Sequence, residues 1–179
     1  IGRPNVGKST LVNRLLGRER MITSSTPGTT VDPVDSLVHL RGKPFLLVDT
    51  AGIRRKSQTE QGVEVLAVMK AAAALERTPL AILMLDGEQG LSDQDEKVAG
   101  LIEKNGCSLV IAVNKWDLHS GKSGTGFTRD DAADHVRSEM GFLSWAPLVF
   151  ISAKTGSGLD ALGDLLEEIL EQRKVKIPT

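Results

Sequence analysis

Cysteine is almost missing from this chain. Cys107 is the only one in 179 residues, which excludes an intramolecular disulfide framework and any metal cluster built from cysteine alone. It precedes an apolar run and reads as a structural or incidental thiol rather than a reactive one. Net charge is also lacking: 22 Lys and Arg against 23 Asp and Glu leave no global basic field to argue for autonomous nucleic-acid binding. The three histidines, His39, His119 and His135, show no metal-ligand spacing. No apolar stretch exceeds strand length, and no leader peptide is visible, so the expectation is a cytoplasmic protein without membrane contact. No internal repeat is present. At this length a single domain with a full core is expected.

What the chain has is alternation. Leu80–Asp86, Ser108–Asn114 and Leu148–Ser152 are near-continuous apolar runs, the pattern of parallel strands buried on both faces. Ser36–Leu40 and Phe45–Asp49, joined through Arg41-Gly42, read as an antiparallel hairpin. Helical patterns over Thr10–Leu16, Gly62–Glu76, Ser92–Asn105, Arg129–Met140 and Ser157–Arg173 supply the crossovers. Ser92, followed three residues later by Asp95, is a helix-start signal. The expected fold is α/β: a three-layer αβα arrangement whose sheet is mostly parallel with one antiparallel edge strand. Gly121 to Gly126 reads as a flexible loop.

Four motifs stand at the carboxyl ends of these strands, where this architecture places its ligands. Gly2-Arg3-Pro4-Asn5-Val6-Gly7-Lys8-Ser9 fits G-x-x-x-x-G-K-[ST] in full, with Thr10 continuing into a helix. In such a loop, backbone N–H groups wrap the α- and β-phosphates, the lysine reaches the β- and γ-phosphates, and the serine hydroxyl ligates Mg²⁺. Asp49-Thr50-Ala51-Gly52 follows Phe45–Val48. An acid there holds Mg²⁺ through a water, and Gly52 can present its N–H to a γ-phosphate. Asn114-Lys115-Trp116-Asp117 ends another strand. Asp117 can accept the N1–H and 2-amino protons of guanine, a donor pair that adenine lacks, while the stem of Lys115 can lie along the base. Asn114 can contact the base edge or tie neighbouring loops. Ser152-Ala153-Lys154 could support the guanine through backbone and hydroxyl. DxxG or the tripeptide alone carries little; the ordered set of four points to a guanine nucleotide.

The set resembles the translation-factor-type P-loop GTPases of the TrmE-Era-EngA kind, which implies that the three-layer αβα fold is a Ras-like P-loop NTPase. More narrowly, Gly2–Asn13, Asp49–Lys56 and Asn114–Leu118 resemble the Der (EngA) family of bacterial ribosome-assembly GTPases, and its second G domain in particular. The likeness covers almost the whole chain. It implies a GTP-hydrolysing switch acting in assembly of the large ribosomal subunit, with GTP and GDP as substrate and product. It also implies contacts with the subunit or its rRNA through the full-length protein. In cis it implies a preceding G domain and a following KH-like domain. The expected organisation is one G domain over 1–179, a segment of a longer chain without its first strand, with 174–179 opening a linker.

By the same resemblance, switch I spans Met21–Asp35, and Thr30 supplies a second protein ligand to Mg²⁺. Val31 stands where relatives usually carry Arg, a departure from the family's pattern. Ile53 occupies the position that in Ras-like enzymes holds a water-orienting glutamine, so another group must stabilise the transition state. Gln58 and Gln61 lie further along the same loop. Related GTPases with Asn at the position of Asn5 use a K⁺ ion there. Its ligands here would be Asn5 with switch I carbonyls near Ser24 and Thr26, although Asn5 is equally able to pin the loop. The expected catalytic set is Asn5, Lys8, Thr30 and Gly52. Arg54-Arg55-Lys56 reads either as a solvated loop or as a nucleotide-gated contact to rRNA or a neighbouring domain. Trp116 is expected to pack its loop and Trp145 to serve core or surface packing. Two rivals remain: a GTP-gated binding module with negligible hydrolysis, and a P-loop ATPase or nucleotide kinase.

Overall fold

The computed structural model describes residues 1–20, 35–48, 72–119 and 128–174, with backbone alone for 18–20. In chain order the elements are α1 (Lys8–Arg20), β1 (Ser36–Leu40), β2 (Lys43–Leu47), β3 (Leu80–Asp86), α2 (Asp93–Lys104), β4 (Ser108–Asn114), α3 (Arg129–Glu139), β5 (Leu148–Phe150) and α4 (Leu159–Gln172). Short 3₁₀ turns cover Trp116–Leu118 and Gly141–Leu143. Residues 72–76 are helical, the described part of the helix expected at Gly62–Glu76.

β3, β4 and β5 form a parallel sheet in that order. Side chains alternate across a strand, so one sheet supplies two cores. Leu83, Leu85, Leu109, Ile111 and Val113 face one side, against Val98, Ala99 and Ile102 of α2 and Val136 of α3. Met84, Val110, Ala112 and Val149 face the other, against Leu11 and Leu15 of α1 and Leu159, Leu162 and Leu166 of α4. Both faces are covered, which is why these strands read as unbroken apolar runs. The three layers are those expected from the sequence.

β1 and β2 pair antiparallel, with Leu40 opposite Lys43. Arg41 (φ 51°) and Gly42 (φ 79°) both take positive φ, the requirement of a two-residue type I′ turn whose twist matches the strands. β2 starts two residues earlier than expected and ends earlier, taking in Pro44 opposite His39. Val38 and Leu40 enter the α1–α4 core. The turn is also clipped to α4 by Arg41 with Asp164 and Lys43 with Glu167, ion pairs exposed to solvent.

Caps explain the helix boundaries. Asp95 accepts from the Ser92 N–H at 3.2 Å while its own N–H bonds the Ser92 carbonyl at 2.8 Å, starting α2 as the sequence signal implied. α4 begins at Leu159 rather than Ser157, because Gly156 (φ 91°) and Gly158 (φ 76°) hold the chain in the left-handed region until that point. A Cβ on Gly158 would lie 2.2 Å from the Phe150 carbonyl oxygen. β5 ends at Phe150, although the Ile151 N–H still bonds the Val113 carbonyl before Ser152 turns away.

Candidate functional site

The site is assembled where β3, β4 and β5 end. Their register sets Asp86 beside Asn114 and Val113 beside Phe150, so the residues that follow each strand emerge at the same level. Ile1 lies along β3: its nitrogen donates to the Ile82 carbonyl at 2.9 Å, and its carbonyl accepts from the Met84 N–H at 3.0 Å. The glycine-rich loop therefore leaves from beside β3. Gly2 (φ 139°) has no room for a side chain, since a Cβ would sit 2.5 Å from the Met84 carbonyl oxygen.

From Gly2 the loop turns through Asn5 (φ 63°) and Gly7 (φ 99°) and closes into α1 with the Leu11 N–H on the Gly7 carbonyl at 2.9 Å. Val6 is fully buried and anchors the loop in the α1–α4 core. Lys8 folds back into the hollow of the loop, its Nζ donating to the Gly2 and Arg3 carbonyls at 2.7 and 2.5 Å. Thr10 is exposed at the first turn of α1. The N-terminus of α1, the turns at Asn5 and Gly7 and the Lys8 ammonium thus lie in one short stretch of chain, an arrangement suited to anions.

Asn114 decides how the loops are joined. It is buried, its Nδ2 donates to the Val6 carbonyl at 2.7 Å, and its Oδ1 accepts from the Ala153 N–H at 2.8 Å. Of the two roles open to it in the sequence, the structure displays the tie between loops. The same proximity explains Gly7, where a Cβ would fall 2.2 Å from Asn114 Nδ2. Lys115 takes a left-handed conformation (φ 63°) and sends its Nζ to Asp86 Oδ2 at 2.6 Å. Trp116 packs its loop as expected, stacked on His119 at 4.4 Å and tilted against Phe150. His119 is thereby part of the loop's packing. Asp117 is half-buried on the 3₁₀ turn beside it.

On the third loop, Ser152 and Ala153 are buried and Lys154 is exposed. The Ser152 hydroxyl accepts from the Thr155 N–H at 3.0 Å, so it shapes its own turn. Arg14 of α1 donates to the Lys154 carbonyl, fastening this loop to the first helix. Trp145 lies at the surface and Cys107 is buried, where burial pushes its thiol upward. The expected positions Ser24, Thr26, Thr30, Asp49, Thr50, Ala51, Gly52, Ile53 and the run Arg54-Arg55-Lys56 lie outside the described residues, as do Val31, Gln58 and Gln61.

Asp86 was not singled out by the sequence motifs. Burial alone would raise its carboxyl, but Lys115 and the N–H groups of Gln89 and Glu88 outweigh burial and hold it below the usual carboxylate range. The sequence carries one signal for it, an acid that closes an apolar strand as Asp49 does, although Asp86-Gly87-Glu88-Gln89 lacks the D-x-x-G spacing. Arg3 is held by Gly90 and Asp95, with Nη2 donating to the Gly90 carbonyl at 2.8 Å and Nε 3.4 Å from Asp95 Oδ2. Burial raises the Asp95 carboxyl further than Ser92 and Arg3 lower it. A cavity of about 40 Å³ behind Trp116, lined by Leu85, Val113 and Val136, is apolar and too small for a nucleobase.

Comparison with known proteins agrees with this geometry. A family model described as 50S ribosome-binding GTPase matches residues 1–115. The chain is 43% identical over 179 residues to GTPase Der of Caldanaerobacter subterraneus subsp. tengcongensis and 45% identical over 177 to that of Lactobacillus delbrueckii subsp. bulgaricus. All or nearly all of this chain is covered, but 40% of each relative. Among solved structures, elongation factor SelB of Methanococcus maripaludis with the GTP analogue GppNHp aligns over 99% of this chain and 34% of its own, with TM-score 0.66 and 20% identity. The FeoB G-domain of Methanococcus jannaschii aligns over 94% and 93%, with TM-score 0.58 and 22% identity. Those two likenesses concern the fold. With the family model spanning the glycine-rich loop through Lys115, and relatives matching along the full chain, this is a P-loop G domain belonging to the family of 50S ribosome-binding GTPases and similar to GTPase Der.

Proposed function

We propose that this G domain binds GTP, hydrolyses it to GDP and phosphate, and acts as the nucleotide switch of a longer protein in assembly of the large ribosomal subunit. The observation that carries the reading is Asn114, which joins the glycine-rich loop to the Ser152–Lys154 loop at the strand ends and so makes one site of three motifs. The chain spans about two fifths of the length of the curated relatives it matches. Contacts with the ribosomal subunit or rRNA, and with a second G domain and a KH-like domain in cis, belong to that longer protein. Within it, this domain would stand as the second G domain.

Residue by residue, the backbone N–H groups between Gly2 and Ser9, Pro4 excepted because it has none, would cradle the phosphates at the N-terminus of α1. Lys8 would exchange its Gly2 and Arg3 carbonyls for β- and γ-phosphate oxygens. Asp117 would read the guanine edge, with Lys115 lying along the base. Ala153 and Ser152 would close the far side. Ser9, with Thr30 and Asp49, offers the hard oxygen donors that Mg²⁺ prefers, and Asn5, with Ser24 and Thr26, those suited to K⁺. When bound, such cations neutralise charge developing on the transferred phosphoryl group. The chain's own part is to hold the phosphates in line and place the Gly52 N–H against the γ-phosphate.

The test is GTP hydrolysis in K⁺ against Na⁺ at matched ionic strength, alongside competition of GTP binding by ATP. The expected result is K⁺ acceleration that Asn5→Ala abolishes while GDP binding persists, with ATP failing to compete. Equal rates in both salts would refute the K⁺ role, and effective competition by ATP would refute guanine recognition.

A further inference from the structure

The turn after β3 belongs to none of the four motifs, yet it grips two of them. Asp86 ends β3 almost completely buried. Its Oδ1 accepts from the Glu88 and Gln89 N–H groups at 2.9 and 3.2 Å, and its Oδ2 meets the Lys115 ammonium at 2.6 Å. The carboxylate is thus fixed from both sides. Gly87 donates to the Asn114 carbonyl at 2.8 Å, and a Cβ there would come within 2.8 Å of that oxygen and 3.4 Å of the Trp116 ring. The turn is pressed onto the end of β4. Four residues on, the Gly90 N–H returns to the Asp86 carbonyl at 3.0 Å while the Gly90 carbonyl takes Arg3 of the glycine-rich loop. One turn therefore reaches the phosphate loop at one end and the guanine loop at the other.

Resting on the GTP-binding reading above, we propose that Asp86 is a positioning residue for nucleotide recognition, which acts through Lys115. A lysine carries many rotamers, and ordering it at the moment of binding weakens the complex. Here the ammonium is anchored beforehand by a buried carboxylate one strand away, in level register. Lys115 also occupies a backbone conformation uncommon for a residue with a side chain, which restricts where its stem can run. With its charge engaged by Asp86, what Lys115 offers the nucleotide is a pre-set aliphatic stem across the base rather than a mobile cation. Removing the anchor releases the stem.

The experiment measures GDP dissociation constants and off-rates in the full chain for wild type, Asp86→Asn, Lys115→Met and the double variant. GTP turnover and nucleotide-free thermal unfolding are recorded beside them. Asp86→Asn is expected to weaken GDP by roughly tenfold, mainly through a faster off-rate, and to raise KM for GTP with kcat nearly unchanged. In the Lys115→Met background the same substitution should change GDP affinity by less than about twofold, because the anchored group is gone. An equal loss in both backgrounds identifies a purely structural role and overturns the proposal, as does unchanged affinity of Asp86→Asn. Should Asp86→Asn fail to fold, Asp86→Glu replaces it. That variant keeps the charge but moves it by a methylene, and undiminished GDP affinity in it overturns the proposal too. If wild type itself binds no GDP, the functional reading fails rather than the role of Asp86.

Discussion

Replacing Asn114 with Ala should unfold the site from within. The side chain makes two bonds in a buried setting, to the Val6 carbonyl at 2.7 Å and from the Ala153 N–H at 2.8 Å. Each bond contributes about 1 kcal/mol net, and each backbone group left buried without a partner costs about 1–3 kcal/mol. Water entering the gap would recover part of that. The expected loss for the domain without nucleotide is about 2–4 kcal/mol, a substantial fraction of the roughly 5–15 kcal/mol that ordinary domains possess. With a urea slope of about 2 kcal/mol/M, the unfolding midpoint should fall by about 1–2 M at constant slope. Asn114→Asp separates the two bonds. A carboxylate oxygen can still accept from Ala153 but would face the Val6 carbonyl with no proton to donate, so this near-isosteric change should also destabilise. Urea titrations followed by circular dichroism are the assay. A loss below about 0.5 kcal/mol in Asn114→Ala would refute the reasoning, since surface changes alone reach that size.

Gly7→Ala should cost at least about 1–3 kcal/mol, because the residue sits at φ 99° and the new Cβ would meet Asn114 Nδ2 at 2.2 Å. In the Asn114→Ala background part of that cost should vanish, and a thermal midpoint unchanged from wild type in the single variant would contradict the clash. Acid sensitivity follows from Asp86. Its folded pKa lies below the ordinary value, so its stabilisation is complete above the unfolded pKa of about 3.9 and disappears as pH falls through the folded value. Chemical denaturation of wild type and Asp86→Asn from pH 7 to pH 3 should give curves separated by a constant gap above about pH 5 and converging below pH 4; a gap that widens on acidification would mean the sign is wrong.

Much of the scaffold was legible because its strands need no partner to announce themselves. Leu80–Asp86 and Ser108–Asn114 match the sequence reading residue for residue, since runs buried on both faces are apolar throughout and end abruptly in polar residues. The α2 start was equally local, being a serine and an aspartate three residues apart. The later start of α4 was harder. Gly156, Ser157 and Gly158 can begin a helix or delay one, and the close approach of the Phe150 carbonyl decides for delay. Asp86 escaped for a different reason: its partner Lys115 is 29 residues away, and the pairing exists only once β3 and β4 are in register. Thr30, expected from the resemblance, and Asp49 and Gly52, expected from their own motif, lie outside the described residues.

The polar residues here hold one another as directly as they could hold a nucleotide. Asn114 spans two loops, Lys115 is seated on Asp86, Arg3 on Gly90 and Asp95, and Lys8 on its own loop. A weakened affinity in any one variant therefore does not report a lost contact with nucleotide, because the same substitution loosens its neighbours. Lys8 is the instructive exception in kind. Its two acceptors are half-buried carbonyls at the start of the loop, so phosphate oxygens can replace them at little cost. Asn114 has no such freedom, since its acceptor and donor are buried backbone groups that would be orphaned by any departure. The side chains that yield to ligand and those that cannot are thus separated by what they are bonded to, and double-variant cycles are the measurement that distinguishes them.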